Sequence, residues 1–269
     1  MKYRLMFIDC DRTLLTDEGL VTERTRNAVR DVLGRGGKVV FASGRAPGGI
    51  ENVVKVIGAE DLFDYFICFN GGLILRSRDK HVVSESYLTV DDAKFIADSI
   101  ACNSNEYYVL MSDRLLCDGH NEHAIAEAKK NSMAVTQGDV RGLDAGEKIY
   151  KMVLAGEKAR IDLMERKIPD ALKRRYNVMR SEPNNLEFVS KHTSKGDALI
   201  TLAKKLNIDI EETISFGDSD NDSSMIKVSG MGVAMGNASE DIKAIADIVT
   251  DSNNNDGLAK AIEHIISLD

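Results

Sequence analysis

Residues 5–15 read Leu5-Met6-Phe7-Ile8-Asp9-Cys10-Asp11-Arg12-Thr13-Leu14-Leu15: an apolar run, two carboxylates one residue apart, and a return to apolar side chains. A short apolar run stopped by polar residues fits a buried strand. In extended chain, residues i and i+2 share a face, so Asp9 and Asp11 begin on one side with Cys10 opposite. Like charges at that spacing are costly unless a cation or a shared proton relieves them. The strand end is therefore a place to look for chemistry, and the rest of the chain should supply the relieving charge.

Working outward, strand and helix alternate. Thr22 is placed to cap a helix whose Ala28, Val29, Val32 and Leu33 form an apolar stripe, closed by Gly34, Gly36 and Gly37. Residues 39–42 read as a second strand ending in Ser43-Gly44-Arg45. Ile50, Val53, Val54 and Ile57 then recur at helical spacing, and a third strand precedes Asn70-Gly71-Gly72. The same rhythm returns late in the chain. Ser194-Lys195-Gly196 opens a helix, residues 213–216 form a strand running into Gly217-Asp218-Ser219-Asp220-Asn221-Asp222, and residues 231–234 form another. This predicts a Rossmann-like parallel α/β core with right-handed crossovers. The middle differs: helical stretches at 91–101, 122–130 and 157–166 separate strands such as 107–111 and 150–155, and 107–111 and 115–117 lie close enough for a hairpin. It reads as an inserted α+β domain over residues 86–182, dividing a core made of 1–85 and 183–269. The stretch 251–256 reads as a polar loop.

Composition narrows the function classes. With 269 residues, 43% of them hydrophobic and 29% charged, the chain can bury a substantial core and does not read as disordered. A net charge of -8 gives no basic footprint for nucleic acid or an anionic membrane surface. Cys10, Cys68, Cys102 and Cys117 show no metal-type spacing and no disulfide framework. No apolar run suits a bilayer crossing, and Asp9 comes too early for a signal peptide. A cytoplasmic protein with reduced thiols is expected.

In open parallel sheets, ligands bind beyond the carboxyl ends of the strands. Asp9/Asp11, Ser43-Gly44-Arg45 and the 218–222 segment all fall there, and Lys195 sits at a helix amino terminus. Asp9, Asp11, Asp218 and Asp222 are oxygen donors or supports suited to a hard cation such as Mg2+. That cation makes the neighbouring carboxylates tolerable. Ser43 with the Gly44 amide, and the Lys195 charge, suit an oxyanion such as phosphate. One carboxylate can attack phosphorus, while the other protonates the leaving oxygen and later takes a proton from water.

The 9–15 segment resembles the D-x-D-G-T-L motif of the haloacid dehalogenase superfamily. Ser43-Gly44-Arg45, Lys195-Gly196 and the 217–222 segment resemble its second, third and fourth motifs. The insertion and Met231-Gly232-Val233-Ala234-Met235-Gly236-Asn237-Ala238 resemble the Cof-type sugar-phosphatase branch with a type-IIB cap. The resemblance implies Asp9 as nucleophile and Mg2+ ligand, and Asp11 as general acid/base with its carbonyl on the metal. It implies Ser43 and Lys195 as holders of the phosphoryl group, Lys195 also steadying Asp9. Asp218 becomes a direct metal ligand, Asp222 its support, Asn221 a phosphate contact, and Arg45 and Asn70 residues on the substrate side. The implied activity is hydrolysis of small phosphorylated metabolites through an aspartyl-phosphate.

One residue departs from the pattern: Arg12 stands where the family has glycine. The expectations are a differently bent loop or a cation near substrate, with activity retained because every reacting group is present. Three other readings compete: a sugar-phosphate mutase, a signalling receiver domain, and a silent metabolite-binding relative. A receiver fits poorly with the chain length, the insertion and Asp11. The sequence leaves monomer and homodimer equally open.

Overall fold

The computed structural model describes residues 2–58, 63–100, 102–103 and 106–267. Two compact units emerge: Met1–Gly44, Ile50–Ser84 and Ser194–Asp269 make the first, Arg45–Gly49 and Glu85–Thr193 the second.

The chain opens with β1 (Leu5–Ile8), α1 (Glu23–Gly34), β2 (Lys38–Ala42), α2 (Pro47–Ile57), β3 (Tyr65–Cys68), β4 (Leu73–Arg76) and β5 (Val82–Glu85). Thr22 caps α1, its Oγ1 accepting from the Thr25 amide at 3.1 Å. The second unit contributes α3 (Val90–Ser99), β6 (Tyr107–Leu110), β7 (Arg114–Cys117), α4 (Glu122–Lys130), β8 (Ala134–Gln137) and β9 (Lys151–Ala155). It continues with α5 (Lys158–Arg166), α6 (Asp170–Arg175), β10 (Tyr176–Glu182) and β11 (Asn185–Ser190). Residue 101, at the end of the expected 91–101 helix, lies outside the described residues. The chain then returns with α7 (Lys195–Leu206), β12 (Thr213–Gly217), α8 (Ser223–Val228), β13 (Met231–Ala234), α9 (Glu240–Ile245), β14 (Ile248–Val249) and α10 (Gly257–Ser267).

The first unit holds one sheet in the order β14-β13-β12-β1-β2-β3-β4-β5. Its pairs are parallel from β14 through β3, and β3 pairs antiparallel with β4. The expected parallel core therefore turns antiparallel at one edge. Phe69, Asn70 and Gly71 all take positive φ (52°, 57° and 105°), and so tight a reversal joins only antiparallel strands. All four β1 residues are buried, as a parallel strand covered on both faces requires. Leu5 and Phe7 pack with Ala198, Leu199, Leu202 and Ala203 of α7, each large side chain contributing about 1.5–3 kcal/mol by burial.

The second unit is a six-stranded sheet in the order β10-β11-β9-β6-β7-β8, antiparallel except for β7 and β8. Ala93, Ile96 and Ala97 of α3 and Leu172 of α6 cover its Val109, Met152, Leu154 and Phe188 face. The β6–β7 pair is the expected hairpin, with Val109 opposite Leu116. A boundary at residue 182 would cut the sheet, because β11 runs back beside both β10 and β9. Pro183 and Asn184 are the turn that joins β10 to β11. Among the described residues no helix is long and apolar enough to cross a membrane. Cys10, Cys68 and Cys117 are buried.

Candidate active site

Register builds the site. Ile8 of β1 lies beside Phe216 of β12 and Phe41 of β2, so Asp9, Ser43 and Asp218 leave the same edge of the sheet. The Asp9 amide still donates to the Phe216 carbonyl at 3.0 Å, holding Asp9 in line with the strand. Beyond it the Leu14 and Leu15 amides donate to the Asp9 and Cys10 carbonyls at 3.2 and 2.9 Å. The turn between them is unusually wide, and Arg12 is its left-handed residue (φ 61°, ψ 10°). The arginine thus takes a left-handed conformation of the kind that favours glycine, at a cost of about 1–2 kcal/mol.

Lys195 is the first residue of α7, where the Ser194 hydroxyl caps the helix by accepting from the Asp197 amide at 3.0 Å. Its Nζ lies 2.5 Å from Asp9 Oδ1 and 2.6 Å from Asp222 Oδ1, and all three side chains are buried. The other Asp222 oxygen accepts from the Asp218 and Ser219 amides at 2.9 and 3.1 Å. With both oxygens engaged, Asp222 shapes the 218–222 turn and aims Lys195. Gly217 is required here, since a Cβ on it would lie 2.4 Å from the Asp222 Cβ. Asp218 accepts from the Ser219 hydroxyl at 3.1 Å and faces the Thr13 hydroxyl at 3.4 Å.

Carboxylate oxygens of Asp9, Asp218 and Asp222 lie within 4.8 Å of one another. Three buried carboxylates against one buried ammonium leave a surplus of negative charge, and the donors are all oxygen. Both features fit a hard divalent cation. The electrostatics report the same surplus. Burial raises the Asp9 carboxyl well above the ordinary range; Lys195 opposes this, while Asp222, Asp218 and Asp11 add to it. Burial and the Asp222 charge push Asp218 up to about 6, against Ser219, Arg12 and Lys195. Burial works against the Lys195 charge, yet Asp222 and Asp9 outweigh it and raise its pKa.

A second group adjoins the sheet edge. Buried Ser43 donates its amide to the Ile67 carbonyl and accepts at its own carbonyl from the Asn70 amide, both at 2.9 Å. Asn70 Oδ1 accepts from Asn221 Nδ2 at 3.0 Å, and a Cβ on Gly44 would meet that Asn70 amide group at 3.2 Å. Gly71 lets this turn touch the start of α7: a Cβ there would sit 2.2 Å from the Ser194 carbonyl. Asp11 follows Asp9 with extended backbone and a half-buried side chain. Of the residues anticipated from sequence, Asp9, Lys195, Asp218 and Asp222 form one cluster, and Ser43, Gly44, Asn70 and Asn221 form an adjoining group. Arg45 falls in the second unit, its guanidinium 3.5 Å from the Gly49 carbonyl.

Sequence reasoning missed a brace. Asn253 Nδ2 donates to the Leu15 carbonyl and to Asp17, both at 3.0 Å, and Asn237 Nδ2 donates to the Arg12 carbonyl at 2.9 Å. The supposed polar loop therefore holds the 10–17 turn in place. Its only advance signal is the Asn253-Asn254-Asn255 run.

The sequence pattern of the haloacid dehalogenase-like hydrolases matches residues 6–262. The phosphatase YwpJ of Bacillus subtilis is 31% identical over 98% of this chain and 100% of its own. The 5-amino-6-(5-phospho-D-ribitylamino)uracil phosphatase YcsE of the same organism is 29% identical, over 97% of this chain and 95% of its own. A solved haloacid dehalogenase-like hydrolase from Bacteroides thetaiotaomicron matches with a TM-score of 0.86 at 29% identity, covering 98% of this chain and 99% of its own. A match across nearly the whole chain, over a fold that a solved member shares, makes this protein a member of the haloacid dehalogenase-like hydrolase family.

Proposed function

We propose that this hydrolase is a Mg2+-dependent phosphatase of small phosphorylated metabolites, acting through an aspartyl-phosphate on Asp9. The observation that carries the reading is the Lys195 ammonium held between Asp9 and Asp222 in a buried site. It opposes the burial that raises the Asp9 carboxyl and aims one of its oxygens, as an attacking nucleophile requires. Asp9 and Asp218 would hold the cation together with the Asp11 carbonyl, with Asp222 in support. When bound, the cation neutralises charge on the phosphoryl oxygens and the carboxylates.

The chain's own groups do the rest. An Asp9 oxygen bonds to phosphorus as the bond to the leaving oxygen breaks, and Asp11 gives that oxygen a proton. Ser43, Lys195 and Asn221 hold the phosphoryl oxygens, Asn70 fixing the Asn221 amide. Asp11 then takes a proton from water, whose oxygen bonds to phosphorus while the bond to Asp9 breaks. Inorganic phosphate leaves and Asp9 is restored. The inserted second unit is assigned the role of a type-IIB cap that reads the leaving group. YcsE points to phosphorylated sugar alcohols and cofactor precursors as the first substrates to try. Water is the simplest acceptor, and no observation favours transfer within one sugar.

The test is phosphate release from sugar phosphates and phosphorylated cofactor precursors, with Mg2+ or chelator, for the unaltered protein and Asp9→Asn. Release that needs both Mg2+ and Asp9 is expected. Release that survives Asp9→Asn would exclude the mechanism.

A further inference from the structure

Arg12 carries a cation to the acidic cluster at a position where the family pattern has none. Its left-handed backbone is pinned by the 2.9 Å bond from Asn237 to its carbonyl. From there Nη1 reaches 3.9 Å from Asp218 Oδ2, and Nε reaches 3.9 Å from Asp17 Oδ1. Asp17 is itself fixed, its amide donating to Asn254 Oδ1 at 3.0 Å and its carboxylate accepting from Asn253 and Asn254 at 3.0 and 2.8 Å. The guanidinium therefore hangs between a buried carboxylate and an exposed, anchored one. At 3.9 Å neither contact is a hydrogen bond; the attraction is charge with charge. With 58% of the side chain exposed, Arg12 keeps room to move between them.

We propose that Arg12 is a resident counter-cation of the Asp9–Asp218–Asp222 cluster that weakens its hold on a divalent cation. Asp17 supplies the partner to which the guanidinium withdraws when the ion binds. This inference rests on the reading of the cluster as a divalent site. A unit positive charge beside Asp218 attracts the same oxygen that the ion needs and repels the ion itself, an effect worth about tenfold in affinity when partly screened by water.

The experiment titrates Mg2+ by calorimetry into metal-stripped protein at low and high KCl, for the unaltered chain, Arg12→Gln, Arg12→Lys and Asp218→Asn. Arg12→Gln should bind about tenfold tighter than the unaltered chain at low salt, with the gap shrinking at high salt because exposed charges are screened. Arg12→Lys should stay near the unaltered value, and Asp218→Asn should lose binding. Equal affinity of Arg12→Gln and the unaltered chain, with binding still abolished by Asp218→Asn, overturns the inference and leaves the metal reading intact. Tighter binding by Gln and Lys alike also overturns it, since backbone relief and not charge would be at work. No binding to any of the four overturns both readings.

Discussion

The Lys195 ammonium lies 2.5 Å from the Asp9 carboxylate, and both groups are buried. Because Asp222 shares the same ammonium at 2.6 Å, removing it strips the counter-charge from two carboxylates at once. Breaking a buried pair from one side costs about 3–5 kcal/mol. Lys195→Met should therefore lower the unfolding free energy by about that amount in urea titration. Turnover should fall at least about a hundredfold, as expected when a donor to developing charge is lost. A stability loss below about 1 kcal/mol, no more than a surface pair is worth, would show that the carboxylates find relief elsewhere.

Gly196 sets how close α7 comes to α8. A Cβ on it would lie 2.7 Å from the Ser224 carbonyl, and its amide donates to the Ser224 hydroxyl at 3.0 Å. Gly196→Ala should cost about 1–3 kcal/mol, the usual range for overpacking. It should also displace the neighbouring Lys195 and lower turnover about a hundredfold, the penalty of an ångström-scale misplacement. Paired unfolding and rate measurements check it; unchanged turnover would show that Lys195 tolerates the shift.

The acidic cluster predicts an unusual pH response in metal-free protein. Burial and Asp222 raise Asp218 from 3.8 to about 6, so between those values the folded state binds more protons than the unfolded. Stability from this group is full below the lower value and is lost as pH rises through the upper one. Relative to Asp218→Asn in chelator, the unaltered protein should lose stability at up to about 1.4 kcal/mol per pH unit across the window. Mg2+ should restore it above the window in the unaltered protein alone. Denaturation series at several pH values measure the gap; a flat or rising gap would contradict the account.

Much of this was legible because β1 is short, wholly apolar and stopped by charge, and β2 and β12 are short, mostly apolar runs that end in polar clusters. Leu5 to Ile8 announces β1, and parallel register then forces Asp9, Ser43 and Asp218 to one edge. The Asn70 turn was legible as a turn but not as the point where the sheet becomes antiparallel, since that depends on three successive positive φ values. The second unit's end was hidden because a Pro-Asn turn reads alike whether it links domains or joins β10 to β11. Arg12 was legible as a cation near the site, but its left-handed backbone was not. Its conformation depends on Asn237, which bonds it across 225 positions of sequence, and no local pattern reports such a partner.

The most direct test of the central claim is covalent. Asp11→Asn protein is mixed with 32P-labelled p-nitrophenyl phosphate, a substrate whose leaving group needs no acid, then quenched in acid and digested. Asp11 is required to activate water, so the account predicts that label accumulates on the peptide carrying Asp9, is released by hydroxylamine, and is absent from the Asp9→Asn, Asp11→Asn double variant. Label on any other residue, or p-nitrophenol release without labelled protein at any time point, would contradict Asp9 as the nucleophile.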